Sequence, residues 1–136
     1  MVQRRVYRQI VIRYISTPTP AAAESPDADI DWMYQCLGLG DERDAIGRLV
    51  FRALVKASKK GEGISSRDIM QLGQMTQAAV IYHLNLFQRS GLVVREGRNY
   101  FLRSYTLTHA LEEMENDMQR RFDYLKKIAK KIEEGA

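Results

Sequence analysis

Beyond residue 26 the apolar positions of the chain recur at intervals of three and four, the period of helices packed by one face. They alternate only in two short stretches, the mark of strands. Asp27 or Asp29 can cap a first helix whose Ile30, Met33, Tyr34 and Leu37 share a face and which Gly38 and Gly40 end. A second helix is predicted from Asp41 to about Lys59, with Ile46, Leu49, Val50, Ala53, Leu54 and Ala57 as its inward stripe. Ser65 with Asp68 three residues later approximates a capping box and opens a short third helix, with Ile69 and Leu72 inward and Gly73 as its break.

After a turn at Gln74 and Met75, Thr76 is a natural cap for a helix running to Ser90 and stopped by Gly91. Two helices joined by a Gly-containing turn of this length form a helix-turn-helix candidate. Alternation returns in Leu92–Arg95 and Tyr100–Arg103 around Glu96–Asn99, which predicts a β-hairpin in the place of a wing. From Thr106 or Thr108 the chain has no Gly or Pro before Gly135, and Leu107, Leu111, Met114, Met118, Phe122, Leu125, Ala129 and Ile132 follow the helical period. At 1.5 Å per residue such a helix reaches roughly 40 Å, more than a small core covers, so a partner chain is expected on the remainder.

The other alternating stretch, Val6–Ile15, is rich in Val, Ile and Tyr and predicts one N-terminal strand. All three prolines, Pro18, Pro20 and Pro26, then fall in a segment with Ala21–Ala23 and Ser25, the composition of a linker. The chain therefore divides into a basic strand (1–15), a linker (16–26), a helix-turn-helix domain with its wing (27–105) and a C-terminal dimerisation helix (106–136). The fold class is mainly α with a small β-hairpin.

With 136 residues, 45% apolar and 28% charged, the chain suits one ordinary globular domain with appendages. Its net charge of +4 is modest but uneven. Residues 1–15 hold Arg4, Arg5, Arg8 and Arg13 without an acid, 21–44 hold seven acids against Arg43, and 45–109 hold ten Lys or Arg against Glu62, Asp68 and Glu96. A basic excess in the middle of the chain can attract phosphate, although charge runs are more often simply solvated. The lone Cys36 cannot form an internal disulfide, suits a reducing, cytoplasmic setting, and reads as a small buried hydrophobe. No apolar run is long enough to span a membrane. The basic, acid-poor first 25 residues have the composition of a mitochondrial transit peptide, but Tyr7, Val11 and Ile15 suit a strand better than an amphipathic helix. Paired catalytic carboxylates, a Ser-His-Asp set and a phosphate-binding Gly loop are all missing from the sequence, so an enzyme is not expected.

The run Thr76-Gln-Ala-Ala-Val-Ile-Tyr-His-Leu-Asn-Leu-Phe-Gln-Arg-Ser-Gly-Leu-Val93, followed by Gly97-Arg98 and Tyr100-Phe101, resembles the ArsR-type winged helix-turn-helix regulators over about residues 30–130. The resemblance implies a homodimeric DNA-binding repressor. In the helix from Thr76, Val80, Leu84 and Phe87 form the buried stripe, leaving Gln77, Ala78, Ile81, Tyr82 and Asn85 outward. Gln and Asn can pair with adenine, Ala permits close approach, Ile81 can meet a thymine methyl, and Thr76 suits a phosphate. Arg95 and Arg98 would carry the wing to phosphates or the minor groove. Leu111, Met114, Met118, Phe122, Leu125 and Ile132 would form the dimer seam.

The resemblance assigns His83 to packing against the preceding helix. It also brings an expectation the sequence does not meet: many such regulators sense metals through Cys and His clusters, whereas here only Cys36, His83 and His109 are present. His109 and Glu112 supply half of a helix-borne zinc site at most, and neither a metal nor any other cofactor is expected. The expected partners are double-stranded DNA and a second copy of the chain. A winged-helix module for protein contact or chromatin architecture, without base readout, is the alternative.

Overall fold

The computed structural model describes residues 25–39 and 44–135. The N-terminal strand and the linker up to residue 24 lie outside them. The described elements run α1 (Pro26–Leu37), α2 (Ala45–Lys59), β1 (Ile64–Ser65), α3 (Ser66–Met70), α4 (Gln77–Arg89), β2 (Val93–Glu96), β3 (Asn99–Leu102) and α5 (Leu107–Glu134). The chain is thus mainly helical, with a small antiparallel sheet and a long C-terminal helix. None of the described helices is long and apolar enough to cross a membrane.

The cap of α1 is neither Asp27 nor Asp29. Ser25 takes extended backbone and accepts from the Ala28 amide at 3.2 Å, while Pro26, expected in the linker, begins the helix. Proline suits that position because its missing N–H would have had no intrahelical partner there. Asp27 instead pairs with Lys56 at 3.0 Å, which holds its carboxyl below the usual aspartate range, and Asp31 binds Arg52 through both oxygens. These two pairs tie the polar flank of α1 to α2. Gly38 closes α1 in the left-handed conformation that sequence predicts for it.

The middle of the molecule is α2. It packs against α1, α3, α4 and β3, so its buried surface extends beyond the single stripe seen in the sequence: Phe51 and Val55 are buried along with Val50, Ala53 and Leu54. Tyr34 from α1, Phe51 from α2 and Phe87 from α4 meet in one aromatic cluster, with ring centroids 5.6 to 6.3 Å apart and mostly edge-on. Such pairs add about 0.5–1.5 kcal/mol each beyond their area burial.

Asp44 joins the same three helices by polar contacts. It caps α2 through the Gly47 amide at 2.9 Å, accepts from the Tyr34 hydroxyl at 3.4 Å, and stands 3.4 Å from His83 Nε2 of α4. Burial, reinforced by the Asp44 charge, pushes the Tyr34 hydroxyl well above its ordinary pKa and keeps it a hydrogen-bond donor.

Two inward assignments do not hold. Leu72 is 56% exposed, because α3 ends at Met70 and the following turn carries residue 72 out of helical phase; Ile69 alone of that pair is buried. Cys36 is exposed, since α1 buries the Ile30–Tyr34 face and turns residue 36 away from it. The sheet also has a strand that the sequence did not announce. β1 pairs antiparallel with β3 (Ile64 opposite Tyr100), giving the order β1-β3-β2. Ser65 ends β1 and caps α3 through the Asp68 amide at 3.1 Å, so the hairpin is fastened directly to the start of α3. The hairpin turn is Gly97-Arg98, with Gly97 at φ 62°, a first-position conformation that glycine alone adopts without strain.

Thr106 caps α5 through the His109 amide. The first turns of α5 are seated on the body: Ala110 is fully buried and Leu107 and Met114 pack on the core. Arg103 binds Asp117 and lies 3.4 Å from Glu113, while Ser104 also binds Glu113. From Met118 to Gly135 every residue is exposed.

The tightest approach in the core is at Gly47. A Cβ there would fall within the Tyr34 hydroxyl and lie 2.9 Å from its Cζ and 2.8 Å from Asp44 Oδ2. Replacing a helical glycine by alanine ordinarily gains up to about 1 kcal/mol. Here overpacking of roughly 1–3 kcal/mol opposes it, so Gly47→Ala is expected to lower the urea midpoint. An unchanged or higher midpoint would show that the Tyr34–Asp44 contact yields without cost.

Candidate nucleic-acid interface

The outer side of α4 follows from its inner side. Val80, Leu84 and Phe87 are fully buried and His83 nearly so, at the intervals predicted. The residues between them must face away: Gln77, Ala78, Tyr82 and Asn85 are exposed and Ile81 is half-buried. They form a continuous stripe with Tyr82 60% exposed, two side-chain amides, and no carboxylate. Thr76 is exposed at the head of the helix, where its Oγ1 accepts from the Ala79 amide at 3.1 Å. Its hydroxyl proton can still be donated outward.

His83 belongs to the core. Its imidazole stands edge-on to Tyr82 at 5.2 Å, lies 6.3 Å from the Phe87 ring, and directs Nε2 to Asp44 at the start of α2. His83 is buried, and the contacts it makes are with Tyr82 and Phe87 of its own helix and with Asp44 at the α2 cap, two helices back. Its buried Nδ1 has no hydrogen-bond partner among the described residues.

Between the start of α3, the N-terminal turn of α4 and the hairpin lies a groove of about 400 Å³ lined by Ser65, Ser66, Arg67, Gln77, Ile81, Arg95, Arg98 and Tyr100. It brings together Gln77, Ile81, Arg95 and Arg98 of the sequence-predicted set. Thr76, Ala78, Tyr82 and Asn85 lie outside its lining, along the rest of α4. The Arg95 guanidinium sits 5.6 Å from the centroid of the Tyr100 ring, and its Nε donates to the Gly97 carbonyl at 2.9 Å. A cation so placed over an aromatic face is oriented without being neutralised.

Charge, not size, sets this groove apart. A second groove of about 400 Å³ on the other side of the hairpin contains Glu62, Glu96 and Arg103, the last of these already engaged by Asp117 and Glu113. The first has three arginines and no acid. It suits a ligand with several anionic oxygens, and the hydroxyls of Ser65 and Ser66 add donors of the same use.

Sequence reasoning missed Arg67, Ser65, Ser66 and Tyr100 as members of this site. The signal was present only in part: the Ser65 cap was legible, but β1 holds just two residues, and without its pairing to β3 nothing placed Arg67 beside the hairpin.

The expected dimer seam divides in two. Met114 packs on the chain's own core and Leu111 is half-buried, whereas Met118, Phe122, Leu125 and Ile132 are 47–68% exposed. His109 lies 3.7 Å from Glu112 and 3.3 Å from Glu113 on the same helix. Among the described residues no group of three His, Cys, Asp or Glu side chains could hold a metal ion. No protein-family model, curated protein or solved structure matches the chain.

The Thr76 cap offers a check on how α4 is held. Removing such a cap costs about 0.5–2 kcal/mol. Thr76→Ala is therefore expected to lower stability by that amount in urea unfolding, and Thr76→Ser to restore most of it. Equal stability of all three proteins would show that the start of α4 is held by other contacts.

Proposed function

We propose that the chain is a sequence-specific DNA-binding transcriptional regulator of the winged helix-turn-helix kind, acting as a homodimer. In this reading α3 and α4 are the helix-turn-helix, the outer face of α4 enters the major groove, and the β2–β3 hairpin is the wing. The observation that carries it is the convergence of Arg67, Arg95 and Arg98 in one acid-free groove directly beside the exposed amide-bearing stripe of α4. Phosphate contacts fix register and base-edge contacts select sequence, and the two kinds of group must be adjacent for one protein to do both.

The roles divide by chemistry. Arg67, Arg98 and the serines at the start of α3 hold backbone phosphates, and Arg95, steadied on Tyr100, follows the strand past the wing. Gln77 and Asn85 read base edges by paired hydrogen bonds, Ile81 meets apolar edges, and Ala78 keeps the helix close. Thr76 donates to a phosphate at the helix start. Repression follows from occupying a promoter, and no chemistry on the DNA is required. The family resemblance of the Thr76–Val93 run agrees with these roles.

Fluorescence titration of labelled duplex tests the reading. Affinity is expected to fall with salt at a slope of about −0.9 per phosphate contact. Arg67→Ala should weaken binding to all sequences alike and reduce the slope by about one, whereas Asn85→Ala should cost roughly 1–3 kcal/mol on the preferred site only. Salt-independent affinity would contradict DNA binding. Equal losses on every sequence for both variants would leave an architectural module without base readout.

A further inference from the structure

The second half of α5 carries an apolar face that its own body does not cover, and its charges indicate what does. Residues 112–117 contain Glu112, Glu113, Glu115 and Asp117 and no basic residue. Residues 120–131 contain Arg120, Arg121, Lys126, Lys127, Lys130 and Lys131 against Asp123 alone. The helix is thus acidic in the part fixed to the body and basic in the part that projects. Two such helices attract when they run in opposite directions and gain nothing from running in the same one.

The seam gives the same direction independently. Leu111, Met118, Leu125 and Ile132 recur every seven residues, and Leu107, Met114, Arg121 and Ile128 fill the complementary positions of the repeat. Arg121 is the one charged residue in this series. In a parallel pair it would face its own copy inside the seam, two like charges in a desolvated layer. In an antiparallel pair centred near Asp123, Arg121 faces Leu125 of the second copy. Its stem then lies on that side chain while its guanidinium reaches water. The same alignment sets Met118 opposite Ile128. Glu133 and Glu134, which break the charge gradient, fall on the outer positions of the repeat.

We infer that a second copy of this chain covers the free face of α5, with the two helices antiparallel and the seam centred near Asp123. The inference rests on the homodimer reading and adds its geometry. Each body is attached about thirteen residues from the centre, so the two attachments stand roughly 40 Å apart along the helix pair. That is close to one turn of duplex DNA, the spacing two recognition helices need to enter successive major grooves. A parallel pair would set both bodies side by side at one end.

Disulfide trapping in the full-length chain tests the orientation. In a Cys36→Ser background, which removes the one native thiol, Met118→Cys and Ile128→Cys are made separately. Both positions are about half exposed, so neither is needed by the core. Light scattering gives the oligomeric state, and circular dichroism verifies the helix content. The two proteins are then mixed and oxidised. The inference predicts a dimer in which the mixed 118–128 disulfide dominates and each protein oxidised alone stays largely unlinked. Self-linking of Met118→Cys would overturn the antiparallel seam and leave the homodimer standing. A dimer that forms no disulfide would place the interface elsewhere and overturn the inference. A protein that stays monomeric at all concentrations would overturn both the inference and the homodimer.

Discussion

Three rings, Tyr34, Phe51 and Phe87, meet at the crossing of α1, α2 and α4, and their contact sets the orientation of everything around them. None can move without opening space against the other two, and the interior is too closely packed to absorb that change. Asp44 adds direction to this packing. One carboxylate caps α2, receives the Tyr34 hydroxyl and lies against His83, so the rotation of α4 about its own axis is fixed from both the apolar and the polar side. Gly47 makes the arrangement possible, because any larger residue would occupy the place of the Tyr34 hydroxyl.

Once α4 is fixed by its inner face, its outer face is determined. Val80, Leu84 and Phe87 turn inward, and the stripe from Gln77 to Asn85 has no other direction to take. The hairpin is then placed by two short links, the β1–β3 pairing and the Ser65 cap, which bring Arg95 and Arg98 opposite Arg67. The groove thus depends on a two-residue strand, and its charge comes from α3 and the hairpin together. The anchored turns of α5 are a separate attachment through Arg103, Glu113 and Asp117. Arg103 holds the Asp117 carboxyl below the usual aspartate range, and the contact lies away from the arginine groove.

The local features that sequence makes legible are those with local causes. Thr76 as a cap, the Val80–Leu84–Phe87 stripe, the Gly91 stop, the Gly97-Arg98 turn and the length of α5 each follow from a short window and hold in the structure. What was not legible depends on contacts between distant segments. Phe51 and Val55 lie off the α2 stripe and are buried only because neighbours surround that helix. β1 is too short to show alternation, so Arg67 had no evident place in the site. Ser25 caps the helix in place of Asp27 and Asp29 because Pro26 starts the first turn at least two residues earlier than those acids require, and they then meet Lys56 or face solvent. Helical phase would turn Leu72 inward only if α3 ran on past Met70, and it does not. Cysteine is usually buried, but the position of Cys36 on α1 overrides that tendency.

The proposed function turns on whether the outer face of α4 distinguishes one base sequence from another. Selection of bound duplexes from a random library by the full-length protein tests it most directly. The expected result is enrichment of a two-fold repeated motif whose half-sites lie about one helical turn, roughly 34 Å, apart. Recovery of an unenriched library at salt concentrations where the protein still binds would contradict base readout by α4.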